Sequence, residues 1–115
     1  MSKAAIRLKR VYEKPSKDDS KRILVERLWP RGLTKAKAKI DVWMKDIAPS
    51  TELRQWYAHD EKKWPAFRKK YLAELRKNKK VVAELKETIG KSATFVYAAK
   101  DEEHNSAVIL RNFLL

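Results

Sequence analysis

The chain has 115 residues, which is the length of one domain and excludes an enzyme with separate cofactor and substrate lobes. It carries 28 Lys and Arg against 15 Asp and Glu, and the resulting net charge of +13 attracts anions. It has no cysteine, which excludes disulfides, thiolate nucleophiles and Cys-ligated metal sites. We therefore expect residues 1–115 to form a single basic α/β domain with one hydrophobic core.

No targeting or membrane segment is recognisable in the sequence. Residues 1–7 contain no apolar stretch of signal-peptide length, and no segment approaches the roughly 20 apolar residues of a membrane span. The lack of cysteine is compatible with a reducing compartment. We expect a cytoplasmic protein with no membrane partner.

The first half of the chain predicts strands separated by turns. Residues 6–12 alternate apolar and basic side chains, as a half-buried strand does, and residues 23–28 are rich in β-formers. The turn residues between them leave open whether the two strands form a hairpin or only share a sheet. Thr34 can cap a helix over 35–47, which is the favoured interpretation, although residues 40–44 are also short enough for a strand.

Helices dominate the middle of the chain. Ser50 or Thr51 begins a short helix, because either hydroxyl can accept a hydrogen bond from a free amide of the first turn. A longer amphipathic helix follows from Asp60, with an interruption at residues 78–80 and a stop at Gly90.

The last part of the chain predicts a strand, a polar loop and a helix. Residues 94–98 form a nearly continuous run of β-formers, which is typical of a strand buried on both faces. Asn105 or Ser106 then caps the final helix. The succession of strands and helices predicts an α/β fold with a small mixed or mostly parallel sheet packed by helices.

Three ordered segments carry a family resemblance: Leu28–Gly32, Trp43–Ser50 and Tyr97–Asn105. Over nearly its whole length the chain resembles the YeaO-like branch of the bacterial domain-of-unknown-function 488 family. The resemblance implies a small cytoplasmic α/β domain and leaves the substrate open. Relatives in other branches tend to carry cysteines near the last strand and its loop, so no thiol mechanism transfers to this chain, which lacks them. Further matching positions are Trp56, His59, Trp64 and Phe67.

The first function hypothesis is a small enzyme or ligand-binding domain with an anion pocket. If the strands over 23–28 and 94–98 are parallel neighbours, the residues that follow them meet at the carboxyl edge of the sheet, where open α/β sheets bind ligands. Arginine suits phosphate or carboxylate, and an indole can stack on a base or sugar, so a nucleotide-related anion would fit. The expected binding residues are Arg27, Trp29, Arg31, Lys100 and Asn105.

An ordinary interpretation of these residues stays open beside the pocket. Trp29 can belong to the core, Arg27 can form an ion pair with Asp101, and Arg31 can face solvent. No glycine occurs in residues 98–105, which argues against a phosphate loop of the Walker or dinucleotide type.

Proton transfer, if this is an enzyme, is expected from His104 with Asp101, in the polar loop after the last strand. His59, beside Asp60, is expected to cap or pack. Residues 101–104 are acidic and end in a histidine, but consecutive side chains point in different directions and no second ligand cluster is recognisable. The sequence therefore predicts no metal site and indicates no particular cofactor.

The second function hypothesis is a noncatalytic protein that binds nucleic acid without sequence preference, because a basic helix face can neutralise several phosphates. A solvated lysine-rich surface is the ordinary alternative. Trp64, Phe67 and Tyr71 lie on the apolar stripe and are expected in the core, so they provide no exposed stacking platform. The motif-dense loops favour the first hypothesis slightly, and the oligomeric state is open. The basic residues are Lys62, Lys63, Arg68, Lys69, Lys70, Arg76, Lys77, Lys79 and Lys80.

Overall fold

Four parallel strands form one sheet in the computed structural model, which describes residues 4–115. Residues 1–3, part of the segment considered for targeting, lie outside the described residues. The strand order is β1-β4-β2-β3, and each neighbouring pair is parallel. The α/β prediction is confirmed, and the sheet is parallel rather than mixed. The strands are β1 Ala5–Arg10, β2 Lys21–Leu24, β3 Val42–Trp43 and β4 Ser92–Tyr97.

Polar caps begin two of the helices where the sequence predicts them. Ser50 accepts a hydrogen bond from the Leu53 amide, and Asn105 accepts one from the Val108 amide. No helix between residues 4 and 115 is long and apolar enough to cross a membrane. The helices are α1 Lys35–Ala38, α2 Thr51–Tyr57, α3 Trp64–Lys77, α4 Lys79–Ile89 and α5 Ser106–Leu114, with 3-10 turns at Lys17–Asp19, Lys45–Ile47 and Glu61–Lys63.

The helix predicted over 35–47 is wrong beyond its first turn. Lys39 adopts a left-handed backbone conformation (φ 47°) that ends α1, and Val42–Trp43 then pairs with β2 as an edge strand. The apolar residues of this short run fit both helical and strand spacing. Hydrogen bonds to β2 make it a strand. The hairpin alternative for β1 and β2 is also excluded, because β4 lies between them.

The central strand β4 is buried on both faces, as predicted. Phe95 and Val96 are both 0% exposed, and because successive strand residues point to opposite faces they enter different cores. Phe95 packs in the larger core beneath α2, α3, α4 and α5. Val96 packs in the smaller core of the opposite face, beneath α1 and Trp29.

A buried ionic cluster ties the two halves of the sheet together on the face of the smaller core. Asp19 Oδ2 lies 2.7 Å from Arg22 Nη1, and Asp19 Oδ1 lies 3.1 Å from Lys9 Nζ. Arg22 also donates two hydrogen bonds to the carbonyl of Ala38, at 3.0 and 2.9 Å. Burial alone would raise the pKa of Asp19, but the Ser16 amide and the two cations hold it below its ordinary value.

Candidate functional site

A cleft of about 450 Å³ opens at the carboxyl edge of the sheet. It lies between the connection from α2 to α3 and the loop from β4 to α5. The parallel pairing of β2 with β4 brings the strand ends together as the sequence predicts. The lining residues are Tyr57, His59, Glu61, Ala98, Ala99, Lys100, Asp101 and His104.

Asp101 organises the loop that forms one wall of the cleft. Its Oδ1 accepts hydrogen bonds from the amides of Glu103 and His104, both at 2.9 Å. Its Oδ2 lies 3.0 Å from His104 Nδ1, so the predicted pair is in contact. The two amides lower the pKa of Asp101 below its ordinary value. Asn105 donates to the Asp101 carbonyl at 2.9 Å, which joins this loop to the start of α5.

The cleft is locally negative although the chain as a whole is basic. Burial raises the pKa of Tyr57, and the negative charges of Asp101, Glu61 and Asp60 raise it further. Lys100 is the positive side chain on this wall and is exposed. An anionic ligand would therefore meet nearby carboxylates here, which differs from the anion pocket expected from the sequence.

Arg27 does not join this cleft, and it does not pair with Asp101 either. Its Nε donates to the Pro49 carbonyl at 3.0 Å and its Nη2 to the Ala48 carbonyl at 2.9 Å. Its Nη1 lies 3.9 Å from exposed Asp46. The guanidinium thus holds the segment between the 3-10 turn at Lys45–Ile47 and α2.

Trp29 and Arg31 also lie away from the cleft. Trp29 packs with the smaller core, its Nε1 donates to the Leu33 carbonyl at 2.6 Å, and its ring meets Trp43 edge-on at 5.4 Å. Arg31 is exposed, and its carbonyl accepts the Tyr12 hydroxyl. The predicted meeting of these residues at one pocket is therefore wrong. The structure brings Lys100, Asp101 and His104 together at the cleft and places Asn105 behind them as the cap of α5. The residues that follow β2 lie elsewhere. Ligand-binding roles for all of them stay predictions.

Glu26 is a partly buried carboxylate that sequence reasoning missed. Burial raises its pKa, and the Ala98 amide and the charge of Arg54 oppose that rise. The available signal was a lone acidic residue directly after the apolar run of β2. Its neighbours place it at the β2–β4 strand ends.

Replacing Glu26 by Gln is expected to raise the free energy of unfolding at neutral pH. Because the Glu26 carboxyl has a raised pKa in the folded protein, folding favours its protonated form. As pH rises past the ordinary value of 4.5 the carboxyl ionises in the unfolded chain first, and this lowers the free energy of unfolding. Urea unfolding from acid to neutral pH measures this. The gain should vanish at acid pH, and exposed Glu52→Gln is the control. A loss of stability at neutral pH would contradict the assignment.

Glu61, Asp101 and His104 could hold a cation. One ligand atom from each lies within 4.8 Å of the other two. Glu61 comes from the 3-10 turn before α3, forty positions before Asp101 in the chain, so only the fold brings it here. This distance along the chain explains why the acidic loop alone gave no metal prediction.

A second candidate surface surrounds Trp56 on the outside of α2 and α3. The Trp56 side chain is 39% exposed, and the ammonium groups of Lys63 and Lys70 lie 5.1 and 5.2 Å from its ring centroid. The sequence prediction for Phe67 and Tyr71 is confirmed, because both are buried. Sequence reasoning did not identify Trp56 as exposed, because the short helix around it shows no clear apolar face.

The two lysines beside Trp56 line up with a third, Lys77, along α3 and the turn before it. Lys63, Lys70 and Lys77 are seven residues apart, a spacing that puts them on one side of a helix. Within residues 4–115, none of the three forms an ion pair. The acidic residue of α3, Glu74, instead accepts the Ser50 amide at 2.9 Å and the Ser50 hydroxyl at 2.6 Å. We call Trp56 and these three lysines the basic row.

These features define a small parallel α/β domain with an acidic cleft at one sheet edge and a basic row on its helical layer. The chain belongs to the family described as the inactive DUF488-N3 subclade, whose model matches residues 5–115. It is 40% identical to the uncharacterized protein YeaO of Escherichia coli (strain K12) over 110 residues, 95% of this chain and 96% of that protein. This confirms the YeaO-like resemblance.

Similarity extends to mycobacterial proteins. The uncharacterized protein Rv3073c of Mycobacterium tuberculosis (strain ATCC 25618 / H37Rv) is 38% identical over 110 residues, which cover 95% of this chain and 92% of that protein. The uncharacterized protein Mb3100c of Mycobacterium bovis (strain ATCC BAA-935 / AF2122/97) shows the same identity and coverage. No solved structure matches the chain significantly.

Proposed function

We propose that this protein binds single-stranded nucleic acid through the basic row, without sequence preference and without catalysis. The observation that carries the proposal is the position of Trp56, which is exposed and has two lysine ammonium groups within 5.2 Å of its ring centroid. Single-strand binders combine a positive track for the phosphates with aromatic rings on which bases stack.

The charge of the basic row supports binding to the phosphates of a single strand. At a rise of about 1.5 Å per residue, the row from Lys63 to Lys77 extends about 21 Å, enough for several successive phosphates. Glu74 lies among these lysines on α3, but its carboxylate accepts two hydrogen bonds from Ser50 and forms no ion pair with them within residues 4–115. Each phosphate that a lysine neutralises releases counterions, which favours binding at low salt.

Trp56 supports binding to the bases by stacking. Any base has a face that can stack on an indole, and such contacts contribute about 1–3 kcal/mol each. Lys63 also donates to the Trp56 carbonyl at 2.7 Å, so the ring and one flanking cation are held together before a ligand arrives. A base on the ring would bring its phosphates towards Lys63 and Lys70.

Three findings favour binding over catalysis. The arginine and tryptophan expected to build a pocket, Arg27 and Trp29, are engaged elsewhere by backbone carbonyls. The family to which the chain belongs is described as inactive. The cleft around His104 also carries carboxylates, which disfavour an anionic substrate.

Replacing Trp56 by Ala tests this mode. We expect the affinity for a fluorescein-labelled oligothymidylate to fall about tenfold, within the range of one lost stacking contact, while Trp56→Phe retains most of it. Fluorescence anisotropy measures the affinity, and circular dichroism checks the fold.

Tyr12→Ala is the matched control, because Tyr12 is 44% exposed and also lies beside a cation, Arg10, but is not part of the basic row. It should bind like the wild type. Unchanged binding by Trp56→Ala, or no binding by the wild type, would contradict the proposal.

A further inference from the structure

We infer that Glu61, Asp101 and His104 form a binding site for one divalent transition-metal ion of the Zn²⁺ type. The three side chains come from two separate segments, yet their ligand atoms lie within 4.8 Å of one another. The inference is independent of nucleic-acid binding, since none of the three residues belongs to the basic row.

The Asp101–His104 contact is close to the spacing of two neighbouring metal ligands. Oδ2 and Nδ1 are 3.0 Å apart, and two ligands that each lie about 2.1 Å from a tetrahedral ion would be about 3.4 Å apart, so a small separation of the pair would admit the ion. Without an ion, the same contact is a hydrogen bond. The Glu103 and His104 amides hold the other carboxylate oxygen of Asp101, which fixes the direction of Oδ2.

The surroundings hold the imidazole in place. The Trp64 ring meets the His104 ring edge-on at a centroid distance of 5.0 Å, and Trp64 packs in turn on Tyr57 and Phe67. Ligands that are oriented before the metal arrives bind it more tightly than mobile ones. Glu61 is the exposed member of the set and can approach the ion from the solvent side.

The donor set selects the class of metal. One imidazole nitrogen with two carboxylate oxygens suits Zn²⁺ or Mn²⁺, whereas Mg²⁺ and Ca²⁺ prefer oxygen ligands throughout. Three protein ligands leave further positions for water, and the adjoining cleft of about 450 Å³ has room for it. Asp60, Glu61 and Asp101 make the field here negative, which attracts a cation; exposed Lys100 is the opposing charge.

A bound ion would join the turn before α3 to the loop before α5. Because an ion that binds only the folded chain stabilises it, metal should raise the melting temperature as well as bind. Metal binding and the melting temperature therefore test the site independently of any catalytic activity.

The test is titration of the protein with ZnCl₂ alone, followed by calorimetry and by thermal unfolding. We expect one equivalent to bind and the melting temperature to rise. His104→Ala and Glu61→Gln should each weaken binding at least tenfold.

His59→Ala is the matched control, because His59 is the second histidine of the same cleft and does not belong to the ligand set. It should bind Zn²⁺ like the wild type. Absence of binding, or weak binding that His104→Ala leaves unchanged, would overturn the inference, as would an equal loss in His59→Ala.

Discussion

Replacing Asp19 by Asn should lower the free energy of unfolding by about 3–5 kcal/mol, the usual cost of removing one partner of a buried ion pair. Arg22 is only 3% exposed, and its guanidinium would lose the carboxylate that lies 2.7 Å away. Lys9 would lose the same partner. Asn has nearly the shape of Asp, so the loss reports charge rather than packing.

Chemical denaturation at neutral pH measures the Asp19→Asn effect, with exposed Asp18→Asn as the neighbouring control. The pKa of Asp19 is lowered in the folded protein, so its stabilisation is present above the ordinary value of 3.8 and is lost as pH falls below it. Wild type and variant should therefore converge in acid. A variant within about 1 kcal/mol of wild type at neutral pH would contradict a structural role for the cluster.

Reversing the charges of the basic row should produce the largest loss of nucleic-acid binding. The triple variant Lys63→Glu, Lys70→Glu, Lys77→Glu removes about three phosphate contacts and replaces them with repulsion. The affinity for an oligothymidylate should fall more than tenfold at moderate salt. The slope of log affinity against log salt should shrink by about 2, at about 0.7 per contact for a single strand.

The matched control reverses Lys35, Lys37 and Lys39, which are exposed around α1 on the opposite face of the sheet. Each triple variant lowers the formal net charge by 6, from +13 to +7, so only the position of the charges differs. The control should keep most of the affinity. Equal losses in both variants would mean that overall charge, and not the basic row, attracts the ligand.

Local rules were enough to predict the starts of α2 and α5 and the central strand. Ser50 and Asn105 cap helices because their side chains reach the first free amides, and that chemistry depends only on nearby residues. The run at 94–98 predicted a doubly buried strand because its β-formers are nearly continuous. The strand ends that flank the cleft were likewise predictable once β2 and β4 were taken as parallel neighbours.

The rest depends on contacts between distant residues. Val42–Trp43 is a strand because β2 offers it hydrogen-bonding partners, which no window around residue 42 contains. Arg27 turns to the Ala48 and Pro49 carbonyls, although its residue type equally suits a phosphate. Glu61 reaches the Asp101 loop only through the packing of the α2–α3 connection.

Whether an aromatic side chain is exposed also depends on residues that are distant in the sequence. Trp56 and Trp64 are both near the start of the basic helix in sequence, yet Trp64 packs against Tyr57 and Phe67 while Trp56 lies among lysines. The difference comes from how α2 and α3 pack against each other, which composition does not encode. Under the proposed function, the charge of +13 acts through a defined surface, the basic row, and not only as a general attraction for anions.

The salt dependence of oligothymidylate affinity, measured for the wild type beside the two triple variants, is the most direct test of nucleic-acid binding through the basic row. We expect wild-type affinity to fall linearly on logarithmic axes as salt rises, the control to follow the same slope, and the basic-row variant to bind weakly with a shallower slope. Wild-type binding that is absent or insensitive to salt would contradict the proposed function.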